Sequence, residues 1–246
     1  MTYCLAIHVN NGLVFASDSR TNAGVDYVAT YSKMFRFVWP GERSVVLLTA
    51  GSLATSQAVV NAIKSDLEDP DASFNLRKGK HLYDLASYIG GLSQKEQQQH
   101  AQALEKSNAS PEASFIIGGQ IAGKACEAYM IYPQGNYISA SEDTPYLQIG
   151  ENKYGKPILD RIIAPDTSLE DAARCAMISI DSTVRSNISV GLPLELAIYT
   201  NDSLDEPWHN KYRALSPMYK SMQKQWNEGL RQAFSGLPRF DWEKED

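Results

Sequence analysis

The sequence predicts an α+β domain in which two sheets pack face to face and helices cover their outer sides. Three observations carry that reading. Apolar stretches with strand and helix periodicity come in blocks: strands, two helices, strands, two helices, a strand, a helix. The β-α-β alternation of a parallel nucleotide-binding sheet is absent, so each sheet must bury its two faces against the other sheet and against helices. No Pro/Gly/Ser-rich linker and no internal repeat divides the 246 residues, so the chain reads as one domain over 1–246.

The elements follow in order. Residues 3–9 ("YCLAIHV") form a strand with Tyr3, Leu5, Ile7 and Val9 on one face. Asn11-Gly12 is the strongest short hairpin signal, and residues 13–18 return as the second strand. Residues 33–39 and 44–50 make another pair, turned by "PGER" and ended by Gly51. A helix over about 53–67 places Val59, Val60, Ile63 and Leu67 at helical spacing. A second helix over 81–108 is amphipathic in its first half and polar in its second, which suits solvent or a partner. Strands return at 113–119, 126–132, 137–141 and 146–150. Helices over 153–163 and 168–185 follow, the latter capped by Thr167 or Ser168 with Glu170 and Asp171 in its first turn. After a strand at 194–199, Ser216-Pro217 opens a C-terminal helix, 216–234, and a short acidic tail ends the chain.

Composition removes several classes of function. With 23 Lys and Arg against 29 Asp and Glu, the formal charge is −6, and no basic patch favours nucleic acid. No window approaches the roughly 20 apolar residues of a membrane helix. The three cysteines are scattered and do not form a disulfide framework. The four histidines have no ligand-like spacing, so no metal is expected, and no nucleotide motif points to a cofactor. The expectation is a cytoplasmic protein without a secretory signal.

Two places suggest chemistry. Thr2 follows Met1, and removal of Met1 would leave a threonine with a free α-amine, whose unperturbed pKa is about 7.7–8.0. Such an amine can take the proton of its own side-chain hydroxyl, so Thr2 is a candidate nucleophile. Thr at position 2 is common, and by itself says little. The second place is "ASDSR", where Asp18 and Arg20 follow an apolar strand. A hairpin turned at Asn11-Gly12 sets Leu5 opposite Asp18, with Thr2 three residues away, roughly 10 Å at about 3.4 Å per residue. Direct contact is then not expected. A long cation between them would join the two, and Lys33, at the start of its strand, is the candidate. Strict alternation points Thr2 and Asp18 to opposite faces.

At this point the chain shows a resemblance. "SDSRTNAG", a Lys opening the next strand and "LLTAGSLAT" resemble the proteasome β-subunits, and "LAIYTND" is similar to the bacterial two-component relatives of that family. The opening "MTYCLAIHVNNGLVFASDSRTNAG" and the block "IGENKYGKPILDR" look more specifically like the Anbu family of bacterial proteasome-related β-subunits, over nearly the whole chain. The resemblance implies the four-layer αββα sandwich of the N-terminal nucleophile hydrolases. It implies a threonine-type peptidase or amidohydrolase with Thr2 as nucleophile, Asp18 and Lys33 as its charge partners, and Arg20 with the loop to Gly24 framing the cleft. The N–H of Gly51 would face the oxyanion, a role that suits a glycine between a strand and a helix N-terminus. It implies a self-assembled homo-oligomer, as stacked rings or an open spiral, acting on peptide or protein substrate. The sequence names no ATPase partner.

The chain also departs from the family. Where the family carries a serine after a glycine beside the nucleophile, this sequence has Glu151 in "IGEN". A carboxylate there would hold the α-ammonium, or raise its pKa and slow proton transfer. Ser189 fits a later family serine, but the aspartate expected before it falls near Ser186 or Asn187, with Asp181 one and a half turns earlier. Two competing readings therefore stand beside the hydrolase: a weakly active or non-catalytic assembly and binding subunit, and a narrow small-peptide amidase.

Overall fold

The computed structural model describes residues 2–22, 28–105 and 110–243. Met1, Gly24 and the end of the second expected helix lie outside the described residues. The strands are β1 (Tyr3–Val9), β2 (Gly12–Ser17), β3 (Arg20–Asn22), β4 (Val28–Thr30), β5 (Met34–Trp39), β6 (Arg43–Gly51), β7 (Ala113–Ile121), β8 (Glu127–Ile131), β9 (Tyr137–Ser139), β10 (Tyr146–Gly150), β11 (Leu194–Thr200) and β12 (Trp208–Tyr212). The helices are α1 (Leu53–Glu68), α2 (Leu82–Glu105), α3 (Lys156–Ile162), α4 (Leu169–Ser186) and α5 (Pro217–Ser235).

Two antiparallel five-stranded sheets, β10-β1-β2-β11-β12 and β5-β6-β7-β8-β9, stack face to face. Alternation then assigns every strand residue to a layer. Tyr3, Leu5, Ile7 and Val9 face outward with Ala172, Ala176 and Ile180 of α4. Cys4, Ala6, Leu13 and Phe15 face inward against Met34, Val46, Leu48 and Ile116 of the second sheet. Val45, Leu47, Phe115 and Ile117 face out to Val59, Ile63, Leu85 and Ile89 of α1 and α2. The result is an αββα sandwich, the fold class expected of the chain. Helix α4 begins where its cap predicts: Ser168 Oγ accepts the Asp171 N–H at 3.1 Å.

One expectation about register is corrected. The hairpin turn is Asn10-Asn11, and Gly12 already belongs to β2, opposite Val9. Gly12 is held there because β11 passes alongside: a Cβ on it would lie 2.0 Å from the Tyr199 carbonyl oxygen. Leu5 therefore pairs with Ala16, and Cys4 with Ser17, so Asp18 comes level with Tyr3 rather than with Leu5. The short ribbon β3-β4 and the edge strand β12 were not expected from the sequence. They lack the apolar alternation that marks a half-buried strand.

Candidate active site

The shift in register brings Asp18 within one residue of Thr2. Asp18 N–H donates to the Tyr3 carbonyl at 3.1 Å, and Tyr3 N–H donates back to Asp18 Oδ1 at 3.1 Å. Asp18 lies just past the end of β2, so strand parity no longer governs its side chain. Its other oxygen, Oδ2, accepts the N–H groups of Arg20 (3.2 Å) and Gly191 (3.1 Å). Lys33 Nζ completes the set, 2.6 Å from Asp18 Oδ1 and 2.6 Å from the Arg20 carbonyl. Asp18 is fully buried and Lys33 is 4% exposed. Burial pushes the Asp18 carboxyl above the ordinary aspartate range, while the Lys33 ammonium and the Tyr3 and Gly191 N–H groups pull against that shift.

Thr2 itself is buried and clamped from the other side. Its carbonyl accepts the Glu151 N–H at 2.7 Å. Gly150 has φ +86, and a Cβ on it would sit 1.9 Å from the Thr2 oxygen, so only glycine lets β10 approach this closely. Alternation places the Thr2 side chain on the inward face with Cys4. There the Cys4 thiol reaches the Thr49 carbonyl (3.5 Å), and Thr49 N–H donates to the Lys33 carbonyl (3.0 Å). Thr2 thus faces the layer in which Lys33 lies.

Gly51 ends β6 in the left-handed region, with φ +98, directly before Ser52, which caps α1. It lines a cleft of about 460 Å³ together with Ser52, Glu112, Ser114 and Gly150. Since Gly150 clamps Thr2, the cleft adjoins the N-terminus. A second cleft, also about 460 Å³, opens between the start of β5 and α1, lined by Tyr31, Ser32, Thr49, Gln57 and Lys64 among others.

The remaining expected residues fall around this centre. Arg20 Nη1 donates to the Ile188 carbonyl at 2.8 Å, and its guanidinium lies against Gly191, pinning the loop after α4 to the strand end. Glu151 Oε2 accepts Asn187 Nδ2 (3.1 Å), and Asn187 Oδ1 accepts the Ser189 N–H (2.9 Å). Ser189 enters this chain of bonds through its backbone. Asn187 stands where an aspartate was sought. Asp181 is elsewhere: its Oδ1 accepts the Tyr219 hydroxyl at 2.6 Å and so fastens α5 to α4. Sequence reasoning did not single out Gly150 or Gly191 for the site. A glycine before "EN" and another after a short polar loop were the signals available.

A sandwich of this layering, with a threonine, a buried Asp–Lys pair and a strand-end glycine gathered at the start of its first strand, defines the class of the N-terminal nucleophile hydrolases. Known proteins agree. The proteasome subunit family model matches residues 2–198. Anbu (ancestral beta-subunit) from Yersinia bercovieri is 42% identical, covers 98% of this chain and 99% of its own, and superposes with a TM-score of 0.91. The helical assembly of the Anbu complex from Pseudomonas aeruginosa is 44% identical over 99% of this chain and 100% of its own, with a TM-score of 0.91. The proteasome subunit beta of Haloferax volcanii is 22% identical over 217 residues, 87% of this chain and 79% of that protein. The chain belongs to the proteasome subunit family and, within it, to the Anbu group of bacterial β-subunits.

Proposed function

We propose that this proteasome-like subunit is an N-terminal threonine hydrolase that cleaves peptide or related amide bonds within a self-assembled homo-oligomer in the cytoplasm. The observation that carries the reading is the buried Asp18–Lys33 pair, 2.6 Å apart and bonded to the Tyr3 N–H one residue from Thr2. With Met1 removed, the Thr2 α-amine takes the proton of the Thr2 hydroxyl as the oxygen attacks the carbonyl carbon. The Lys33 ammonium lowers the cost of the negative charge on that oxygen, and Asp18 keeps the ammonium charged. The Gly51 N–H, beside the N-terminus of α1, faces the oxyanion. The amine then hands the proton to the leaving nitrogen, and water releases the acyl group by the reverse sequence. Arg20 and Ser189 hold the loop that closes over Asp18. The helical assembly of the Pseudomonas aeruginosa relative favours an open spiral over stacked rings. Three buried, unpaired cysteines suit a reducing compartment.

A second reading, a weakly active assembly subunit, draws on Glu151. Its carboxylate is bonded to Asn187 and Lys153 N–H next to Thr2, where it would hold the amine protonated. Turnover of an unfolded, fluorescently quenched protein and of short amide substrates separates the readings. The hydrolase reading expects cleavage of the unfolded protein by the oligomer and none by Thr2→Ala. Cleavage of short amides alone indicates the narrow amidase, and no turnover of either indicates the assembly subunit. Sedimentation at micromolar concentration should show a large particle; a single boundary near 27.3 kDa would refute assembly.

A further inference from the structure

The inward face of the first sheet is apolar along most of its length, through Ala6, Leu13, Phe15 and Ala197. Near Thr2 that pattern breaks. Glu195 of β11 pairs with Ser17 of β2, which pairs with Cys4 of β1, so a carboxylate shares the inward face with Cys4 and Thr2. Glu195 is 1% exposed. Its Oε2 lies 3.1 Å from His209 Nε2. Its Oε1 lies 3.3 Å from Lys211 Nζ but has no partner in hydrogen-bond geometry. The hydroxyls of Ser17 and Ser19 are buried and likewise unpartnered. A buried carboxylate is costly unless its charge is paired and its oxygens are hydrogen-bonded, and here one oxygen has the Lys211 ion pair without a hydrogen bond. The Cys4 thiol registers the field: burial pushes it up, Lys33 pulls it down, and Asp18 and Glu195 push it further up. The strand pairing therefore sets Glu195 on the face that carries Cys4, beside the Asp18–Lys33 pair at the end of β2.

Two strand spacings and two residues separate Glu195 from Thr2, about 12 Å between backbones. The charged and titratable groups around that volume are Lys211 and the His209 imidazole from β12, Asp18 and Lys33 from the strand ends, and Glu151 after β10. We infer that Glu195 is a positioning residue of the Thr2 site: its buried charge, paired at the sheet edge with Lys211 and in contact with His209, holds the Thr2 α-amine toward its protonated form and sets the pH at which that amine becomes a base. The inference rests on Thr2 being the mature N-terminus, and its test is independent of turnover.

The test is the titration of the α-amine in the assembled protein beginning at Thr2. Trace acetic anhydride labels the neutral amine, and peptide mass spectrometry reads the extent at each pH. Removing a negative charge disfavours a nearby ammonium, so Glu195→Gln should move the midpoint down by about one pH unit. Glu195→Asp keeps the charge and should stay within about 0.3 unit of the native midpoint. Lys211→Met, at a half-exposed position, uncovers more of the carboxylate and should raise the midpoint by a few tenths. If Glu195→Gln does not fold, Lys211→Met decides alone. Native midpoints in the folded variants would overturn the inference and leave Glu195 a structural residue. A native protein inert to substrates but showing these shifts would instead overturn the hydrolase reading and leave this one standing.

Discussion

The two ends of the inter-sheet layer are both polar, and they are built differently. At the far end, beyond Phe15 and Leu13, the hydrogen-bond network is centred on a phenol and amides. Tyr199 OH donates to Gln120 Oε1 at 2.8 Å, the Asp202 N–H donates to the same oxygen at 2.7 Å, and Gln120 Nε2 donates to Asp202 Oδ1 and to the Lys124 carbonyl. Asn201 Nδ2 bonds the Asn10 carbonyl across the hairpin turn. The carboxylate in this network, Asp202, is exposed. At the near end the groups are buried charges: Asp18, Lys33 and Glu195. A network of neutral hydrogen bonds closes a sandwich at modest net gain. Buried ions seldom stabilise a fold more than well-packed apolar side chains would. Stability accounts for the far end; for the near end, the proposed chemistry at Thr2 supplies a reason that stability does not.

The comparison is broken most directly at Lys33. Lys33→Ala should reduce reaction of Thr2 with an electrophilic probe by about 10²-fold or more. It should also destabilise the domain by about 3–5 kcal/mol by leaving Asp18 buried without its cation. Lys33→Arg should restore only part of the labelling, because the planar guanidinium cannot occupy the ammonium's position between Asp18 and the Arg20 carbonyl. Equal labelling rates for Lys33→Ala and the native chain would make the pair structural, like the far end.

The converse change is Gln120→Ala. It strands the Tyr199 hydroxyl and the Asp202 N–H, and should cost about 1–3 kcal/mol in denaturant unfolding. Probe labelling should stay at the native rate. A matching fall in labelling would mean that the two ends are coupled.

Glu151→Gln sharpens the account of the near end. Glutamine has one acceptor oxygen where the carboxylate uses two, so it can keep the bond from Asn187 Nδ2 or the one from the Lys153 N–H but not both, and it removes the charge beside Thr2. A carboxylate there favours the ammonium, so its loss should speed labelling at neutral pH by about 3–10-fold. Slower labelling would show Glu151 to be needed for catalysis rather than restraining it.

The smallest effect belongs to His8, which lines a polar cavity of about 470 Å³ at the far end. Burial lowers its pKa below the ordinary histidine value, against a smaller opposing pull from Glu127. Unfolding therefore takes up a proton, and the stability this group supports is present above pH 6.5 and falls as the pH drops below it. His8→Gln should flatten the loss of stability between pH 7 and 5. An unchanged slope would show that His8 is not a source of that loss.

Much of this was legible in the sequence. The blocks of period 2 and period 3.6 fixed the layers, because alternation in strands such as β1 and β6 leaves few other ways to bury both faces. Asp18 and Lys33 stood out as charges at apolar strand ends, and the structure does bring them together. Their closeness to Thr2 was not legible. It depends on the turn falling at Asn10-Asn11, and that depends on β11, which passes Gly12 from 187 residues further along the chain (Tyr199 minus Gly12). Glu195 was hidden for a related reason. "LELAIYT" reads as an ordinary strand with a polar residue near its start. Only the pairing with Ser17 turns that residue inward beside the site.

The central claim is that Thr2, freed of Met1 and served by the Asp18–Lys33 pair, is a nucleophile. Intact-mass spectrometry of the native chain, with and without an electrophilic probe for N-terminal threonine, tests it most directly. The account predicts a mass lacking Met1, one probe added per chain, no addition to Thr2→Ala and strongly slowed addition to Lys33→Ala. A native chain that keeps Met1, or one that lacks it and takes up no probe, would contradict it.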